Sequence, residues 1–174
     1  MSDVGERRIV QVAGRLDDAL ATRAAAELLS LDAGGVEPIE LHVDSRDGTL
    51  EAAFMLMDTL DGLRAPVHAW CRGETGGPAV GVVAVAAHRT AAPHARFRLA
   101  QPAVRFSGSP DQVAALTRQH RDLLVRFQAR LARATGRPVD DIADDMRRGR
   151  YLDAGEARDY GLIDAVGGTP GGGR

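Results

Sequence analysis

A hydroxyl, an imidazole and a carboxylate are the side chains from which acyl-transfer catalysis is usually assembled. In this chain Thr75, His88 or His94, and Asp145 are the residues whose positions would let them supply those groups. Each also has an ordinary reading: a loop threonine, partly packed histidines and a helix-surface aspartate. His42 and His68 fall in probable strand stretches, where packing accounts for them. Lysine is absent and every basic residue is arginine, which we read as codon bias, since asparagine is missing too. That absence excludes a Ser–Lys dyad, a Schiff-base lysine and a phosphate-loop lysine, and arginine stays protonated and cannot act as the base. Gly73, Gly76 and Gly77 form a glycine-rich turn ahead of a helix, a weak anion-binding signal without a phosphate-loop pattern. No spacing of His, Cys, Asp and Glu resembles a metal site, so neither a metal nor any other cofactor is expected.

The composition bounds the class of protein. At 174 residues, with 44% hydrophobic and 26% charged residues, the chain suits one globular domain. A formal net charge of -2 gives no electrostatic case for nucleic acid or an anionic membrane. No uncharged apolar run is long enough to span a bilayer, and Met1 to Arg8 lacks a signal-peptide core. Cys71 is the only cysteine, which excludes an internal disulfide and points to a reducing cytoplasm.

The elements that must position these residues follow from periodicity. Arg8–Ala13, Ile39–Val43, Val67–Cys71 and Arg96–Leu99 read as strands, with a last strand turn near Ile163. Helices are expected over Asp17–Leu31, with Leu20, Ala24, Leu28 and Leu31 on one face, and over Thr49–Leu63. Ala79–Ala87 is small and apolar throughout, as a helix buried on all sides should be, and Pro78 suits its first turn. A long helix spans Asp111–Ala134, with Val113, Leu116, His120, Leu123, Phe127 and Leu131 at spacings of three and four. A short helix runs from Pro138 to about Arg148. The last, Ala154–Tyr160, has Asp153 as N-cap, Glu156 completing a capping box, and Gly161 as its stop. Strands alternating with helices predict an α/β fold with a parallel sheet. One domain is expected over 8–166, with disorder at 1–7 and in the glycine-rich tail, 167–174.

Several stretches resemble the ClpP family of ring-forming serine peptidases, the proteolytic subunits of ATP-dependent Clp proteases. They are Met57-Asp58-Thr59-Leu60, Gln101-Pro102, Ala134-Thr135-Gly136-Arg137-Pro138 and, most specific, Ala154-Gly155-Glu156-Ala157 with Tyr160-Gly161-Leu162-Ile163-Asp164. Between Asp47 and Ala79, and between Ala100 and Asp164, the match needs no gap; a short deletion falls near Ala87–Pro93. The resemblance implies a crotonase-like core of repeated β-β-α units, heptameric rings stacked in pairs beneath a AAA+ unfoldase, and a projecting "handle" helix at 111–134. It makes Val113, Leu116, His120, Leu123, Phe127 and Leu131 candidates for an interface between subunits.

The same resemblance assigns the catalytic positions, and they are empty. The serine position is Gly77, the histidine position Ala100 and the aspartate position Gly149. One oxyanion donor would be the N–H of Pro78, which has none; the other maps to Gly48, where Asp47 replaces a family glycine beside it. Arg147-Arg148 stands where the family often carries an acid–arginine pair between rings. This arrangement repels itself in a homomeric double ring and complements an acid-bearing partner, although a basic helix end is equally an ordinary dipole partner. Only seven residues precede Arg8, too few for the family's pore-lining segment, and Glu40 and His42 stand where docking aromatics often lie. Unfoldase contact is therefore expected to be impaired. The leading expectation is a non-catalytic subunit in homo- or hetero-oligomers. Its rivals are an active peptidase with rewired residues and a crotonase-like acyl-CoA or small-molecule binder with a deep pocket beside Gly48 and Gly77.

Overall fold

The computed structural model describes residues 7–168; of the stretches expected to be disordered, 1–7 and 167–174, residues 1–6 and 169–174 lie outside that range, and Gly167 donates its N–H to the Ala91 carbonyl at 2.9 Å. A five-stranded sheet has every neighbour parallel, in the order β1-β2-β3-β5-β8, and its first three strands alternate buried apolar residues with more exposed ones. These strands are β1 (Ile9–Ala13), β2 (Ile39–Asp44), β3 (Val67–Cys71), β5 (His88–Ala91) and β8 (Ala165–Val166). A second sheet of three strands has the order β4-β6-β7, from Glu74–Gly76, Arg96–Leu99 and Arg150–Asp153, with β6 and β7 antiparallel. The expected α/β class and parallel sheet are present.

Six helices occur among the described residues: α1 (Asp18–Gly34), α2 (Leu50–Gly62), α3 (Ala79–Ala84), α4 (Pro110–Thr135), α5 (Val139–Arg148) and α6 (Ala154–Tyr160). Parallel strands require crossovers, and the helices supply them in β-β-α steps: β3–β4–α3 and β5–β6–α4. In the first two steps the second strand shrinks to a single bridge, Leu16 pairing with Gly48 ahead of α1 and α2. Gly48 has to be glycine, because a Cβ there would lie 2.4 Å from the Leu16 carbonyl oxygen.

The helix boundaries have local causes. Asp17 and Thr49 accept from the N–H groups of Leu20 and Ala52, and Ser109 with Gln112 and Asp153 with Glu156 form capping boxes. Gly136, Gly149 and Gly161 end α4, α5 and α6 in the left-handed conformation. α3 is shorter than the expected Ala79–Ala87: the Ala87 N–H donates to the Val67 carbonyl at 2.9 Å, which pulls the chain out of the helix and into β5.

The core lies between the five-stranded sheet and α1, α2 and α3, with Leu16, Leu28, Ile39, Leu41, Leu56 and Met57 among its fully buried side chains. α4 joins it only near its C-terminal end. Phe127 and Leu131 are buried, whereas no residue from Pro110 to Arg126 is. The ring of Phe127 fits over Gly81 of α3, where a Cβ would lie 2.3 Å from its Cε2, and meets Phe54 edge-on at 6.3 Å. The remainder of α4 projects beyond this anchor.

Candidate functional site

The three-stranded sheet gathers the catalytic positions that the family resemblance assigned. Gly76 of β4 pairs with Arg98 of β6, and the Gly77 N–H donates to the Arg98 carbonyl at 3.0 Å. Leu99 pairs with Arg150 of β7, which sets Ala100 beside Gly149. Gly77 and Ala100 line one cleft of about 480 Å3, together with Arg46, Asp47, Glu74, Arg98, Gln101, Pro102, Ala103 and Tyr151. No serine, threonine, cysteine, histidine or lysine lines it; its one hydroxyl belongs to Tyr151.

Gly77 and Gly149 sit in different surroundings. Gly77 has φ +53°, in the left-handed region, yet an added Cβ would find only the Ala100 carbonyl oxygen, at 3.8 Å. Space is therefore not what keeps a side chain out. Gly149 is the left-handed stop of α5, its N–H donating to the carbonyls of Asp145 and Met146. A Cβ on Gly149 would sit 3.4 Å from Nη2 of Arg98. The guanidinium of Arg98 thus occupies the surroundings of Gly149, and its carbon lies over the Tyr151 ring, 5.3 Å from the centroid.

The oxyanion positions differ in kind. Pro78 begins the turn into α3 with φ -59° and has no N–H to offer. Gly48 keeps its N–H, but that hydrogen bonds to Oδ1 of Asp47 at 2.7 Å. The other oxygen of Asp47 is held by Arg15. Asp47 therefore adds more than a nearby negative charge: it engages the Gly48 N–H.

The other residues with catalytic side chains are scattered. Thr75 is fully buried and its Oγ1 has no hydrogen-bond partner, so no imidazole is within bonding reach of it. His88 faces Asp164, Nδ1 to Oδ2 3.7 Å, and meets His68 edge-on. His94 borders a separate cleft of about 550 Å3 with Arg96, Asp153 and Arg158. Asp145 accepts from Arg150 and from the Tyr160 hydroxyl at 2.7 Å. Burial, the Asp145 hydrogen bond and its charge all push the Tyr160 hydroxyl well above the usual phenol range. Cys71 is buried within β3, and burial pushes its thiol up to about 12. His42 pairs with Glu40 at 3.0 Å and packs edge-on to Trp70 on the sheet. Among the described residues, no group of three or more His, Cys, Asp or Glu is placed to hold a metal ion, and no helix is long and apolar enough to cross a membrane.

The interface candidates divide into two groups. Phe127 and Leu131 have no exposed surface and pack into their own subunit, because α4 needs an anchor before it can project. Val113, His120 and Leu123 are partly exposed, Leu116 is exposed, and His120 meets Phe106 edge-on. Arg147 and Arg148 are exposed at the end of α5, Arg147 paired with Asp144 one turn back at 3.0 Å. Sequence reasoning did not single out Arg46 or Arg98. They occupy solvent-facing positions in a loop and an alternating strand, and such residues carry no signal until the register is known.

The chain matches the Clp protease family over residues 1–170. It is also 34% identical over 169 residues to an ATP-dependent Clp protease proteolytic subunit of Paracoccus denitrificans, covering 95% of this chain and 84% of that protein. A parallel sheet built in β-β-α steps, a projecting helix and a cleft bordered by Gln101-Pro102 accord with those matches, and the chain belongs to the Clp protease family.

Proposed function

We propose that this protein is a non-catalytic subunit of a cytoplasmic Clp-type ring assembly, with a structural or regulatory role. The observation that carries the reading is the cleft between Gly77 and Ala100, which holds neither nucleophile nor imidazole and whose Gly48 donor is already bonded to Asp47. Loss of a triad's nucleophile or base costs roughly a million-fold in rate, and each lost oxyanion donor about 100- to 1000-fold more. A rewired peptidase would need Thr75, a histidine and Asp145 to converge, and Thr75 is sealed in the core. An acyl-CoA site beside Gly48 draws no support, because Gly48 does not line the cleft and charged groups surround Gly77.

Assembly is the role the exposed features favour. The unburied part of α4, with Val113, Leu116, His120 and Leu123, offers an amphipathic surface that one subunit alone leaves uncovered. Arg147 and Arg148 complement an acid-bearing neighbour better than a second copy of themselves. Purification of the native protein with whatever it binds, then mass measurement of the intact assembly, tests this. We expect an oligomer containing this chain, and no cleavage of fluorogenic peptides by the chain alone. A monomer at cellular concentration, or peptide turnover by the isolated chain, contradicts the reading.

A further inference from the structure

We infer that the cleft at Gly77 is a binding site for a small oxyanion, of which the carboxylate at the end of an extended peptide is one source. The argument starts from charge. Four charged residues line the cleft: Arg46, Asp47, Glu74 and Arg98. Both acids are turned to other partners, Asp47 to Arg15 and the Gly48 N–H, and Glu74 to Arg96 at 3.8 Å. Neither arginine of the cleft has an ion-pair or side-chain hydrogen-bond partner among the described residues; Arg98 has only the face of Tyr151. The cleft therefore presents two uncompensated guanidinium groups while its negative charges are engaged.

Geometry favours a ligand over plain solvation. Arg98 has its guanidinium carbon over the Tyr151 ring, 5.3 Å from the centroid, and close to Gly149, where the missing side chain leaves its nitrogens accessible. A guanidinium held against a ring face loses less freedom when it binds and presents a planar fork matched to a carboxylate or phosphate. Gly77 and Ala100 leave open the space beside it that larger side chains would fill. This inference rests on the non-catalytic reading only in that the ligand is held and not cut.

The test uses the full-length chain and a short peptide, labelled at its N-terminus, as the free acid and as the C-terminal amide, with binding followed by fluorescence polarisation. We expect the acid to bind about tenfold or more tightly than the amide, the scale of one charge-assisted hydrogen bond. Arg98→Met and Arg46→Met, each verified as folded by its unfolding midpoint, should remove that preference, while Arg23→Met on the exposed face of α1 should keep it. Inorganic phosphate distinguishes the sources: displacement of the acid by phosphate at equal concentration marks a general oxyanion site, and displacement only at large excess marks a peptide terminus. Equal binding of acid and amide, or an acid preference that survives both cleft substitutions, overturns the inference. Mass analysis of the same peptide reports separately on catalysis. Cleavage would sink the non-catalytic reading while leaving the acid–amide comparison intact.

Discussion

Gly149 and Arg98 show how much of this site depends on neighbours. A carboxylate restored at position 149 would meet a guanidinium before it met an imidazole, since Arg98 already lies 3.4 Å from where its Cβ would be. The triple substitution Gly77→Ser, Ala100→His, Gly149→Asp should therefore fold, because Gly77 has room and aspartate tolerates the left-handed conformation. It should still show no measurable peptide hydrolysis in a fluorogenic assay. Turnover is expected only after Pro78→Ala and Asp47→Gly return the donors and Arg98→Met clears the carboxylate. Activity in the triple variant alone would show that the hole and Arg98 are not obstacles. Cys71 supplies a second test at this scale: with its thiol buried and pushed up to about 12, it should resist a thiol-reactive dye in the native protein and react fully in denaturant. That Gly77 and Ala100 bring no catalytic side chain to the cleft was legible in the sequence, because glycine and alanine have none to bring. The occupied Gly48 donor was not, since a side chain one residue away bends back only in three dimensions.

At the level of elements, α4 depends on one interlock. Phe127 lies over Gly81, so Gly81→Ala should cost about 1–3 kcal/mol through overpacking, despite alanine's better helix propensity. Phe127→Ala should cost about 3–5 kcal/mol through the cavity it leaves. Urea denaturation measures both, and a neutral Gly81→Ala would show that α3 and α4 separate easily. The long helix was readable from its spacing of apolar residues, and the Asp153–Glu156 cap from its residue types. β4, β5 and β7 were not. His88-Arg89-Thr90-Ala91 and Arg150-Tyr151-Leu152-Asp153 have few apolar residues, and it is their backbone pairing with β3, β8 and β6 that makes them strands. Without those strands the cleft had walls the sequence could name only in part, which is why the sequence singled out Gly77 and Ala100 and not Arg98.

Across the whole molecule, the last segment is tied to the sheet by Asp164. Burial pushes its carboxyl up, but side-chain and backbone hydrogen bonds from Arg89 outweigh that and hold it below the usual carboxylate range. Because the folded value is the lower one, the pair stabilises the protein above about pH 4 and the contribution disappears as pH falls through the depressed value. The native protein should lose unfolding midpoint as pH falls from about 5 towards about 2, and Asp164→Asn should flatten part of that loss. An unchanged pH profile in the variant would place the acid sensitivity elsewhere.

A Clp protease fold kept for assembly, with its reactive centre dismantled, is the central claim. Its most direct test is to treat the purified chain with a fluorophosphonate probe and weigh the intact product. The account predicts a mass with no adduct, under conditions in which an active serine peptidase is labelled. A single stoichiometric adduct, mapped to any hydroxyl in or near the Gly77 cleft, would contradict it.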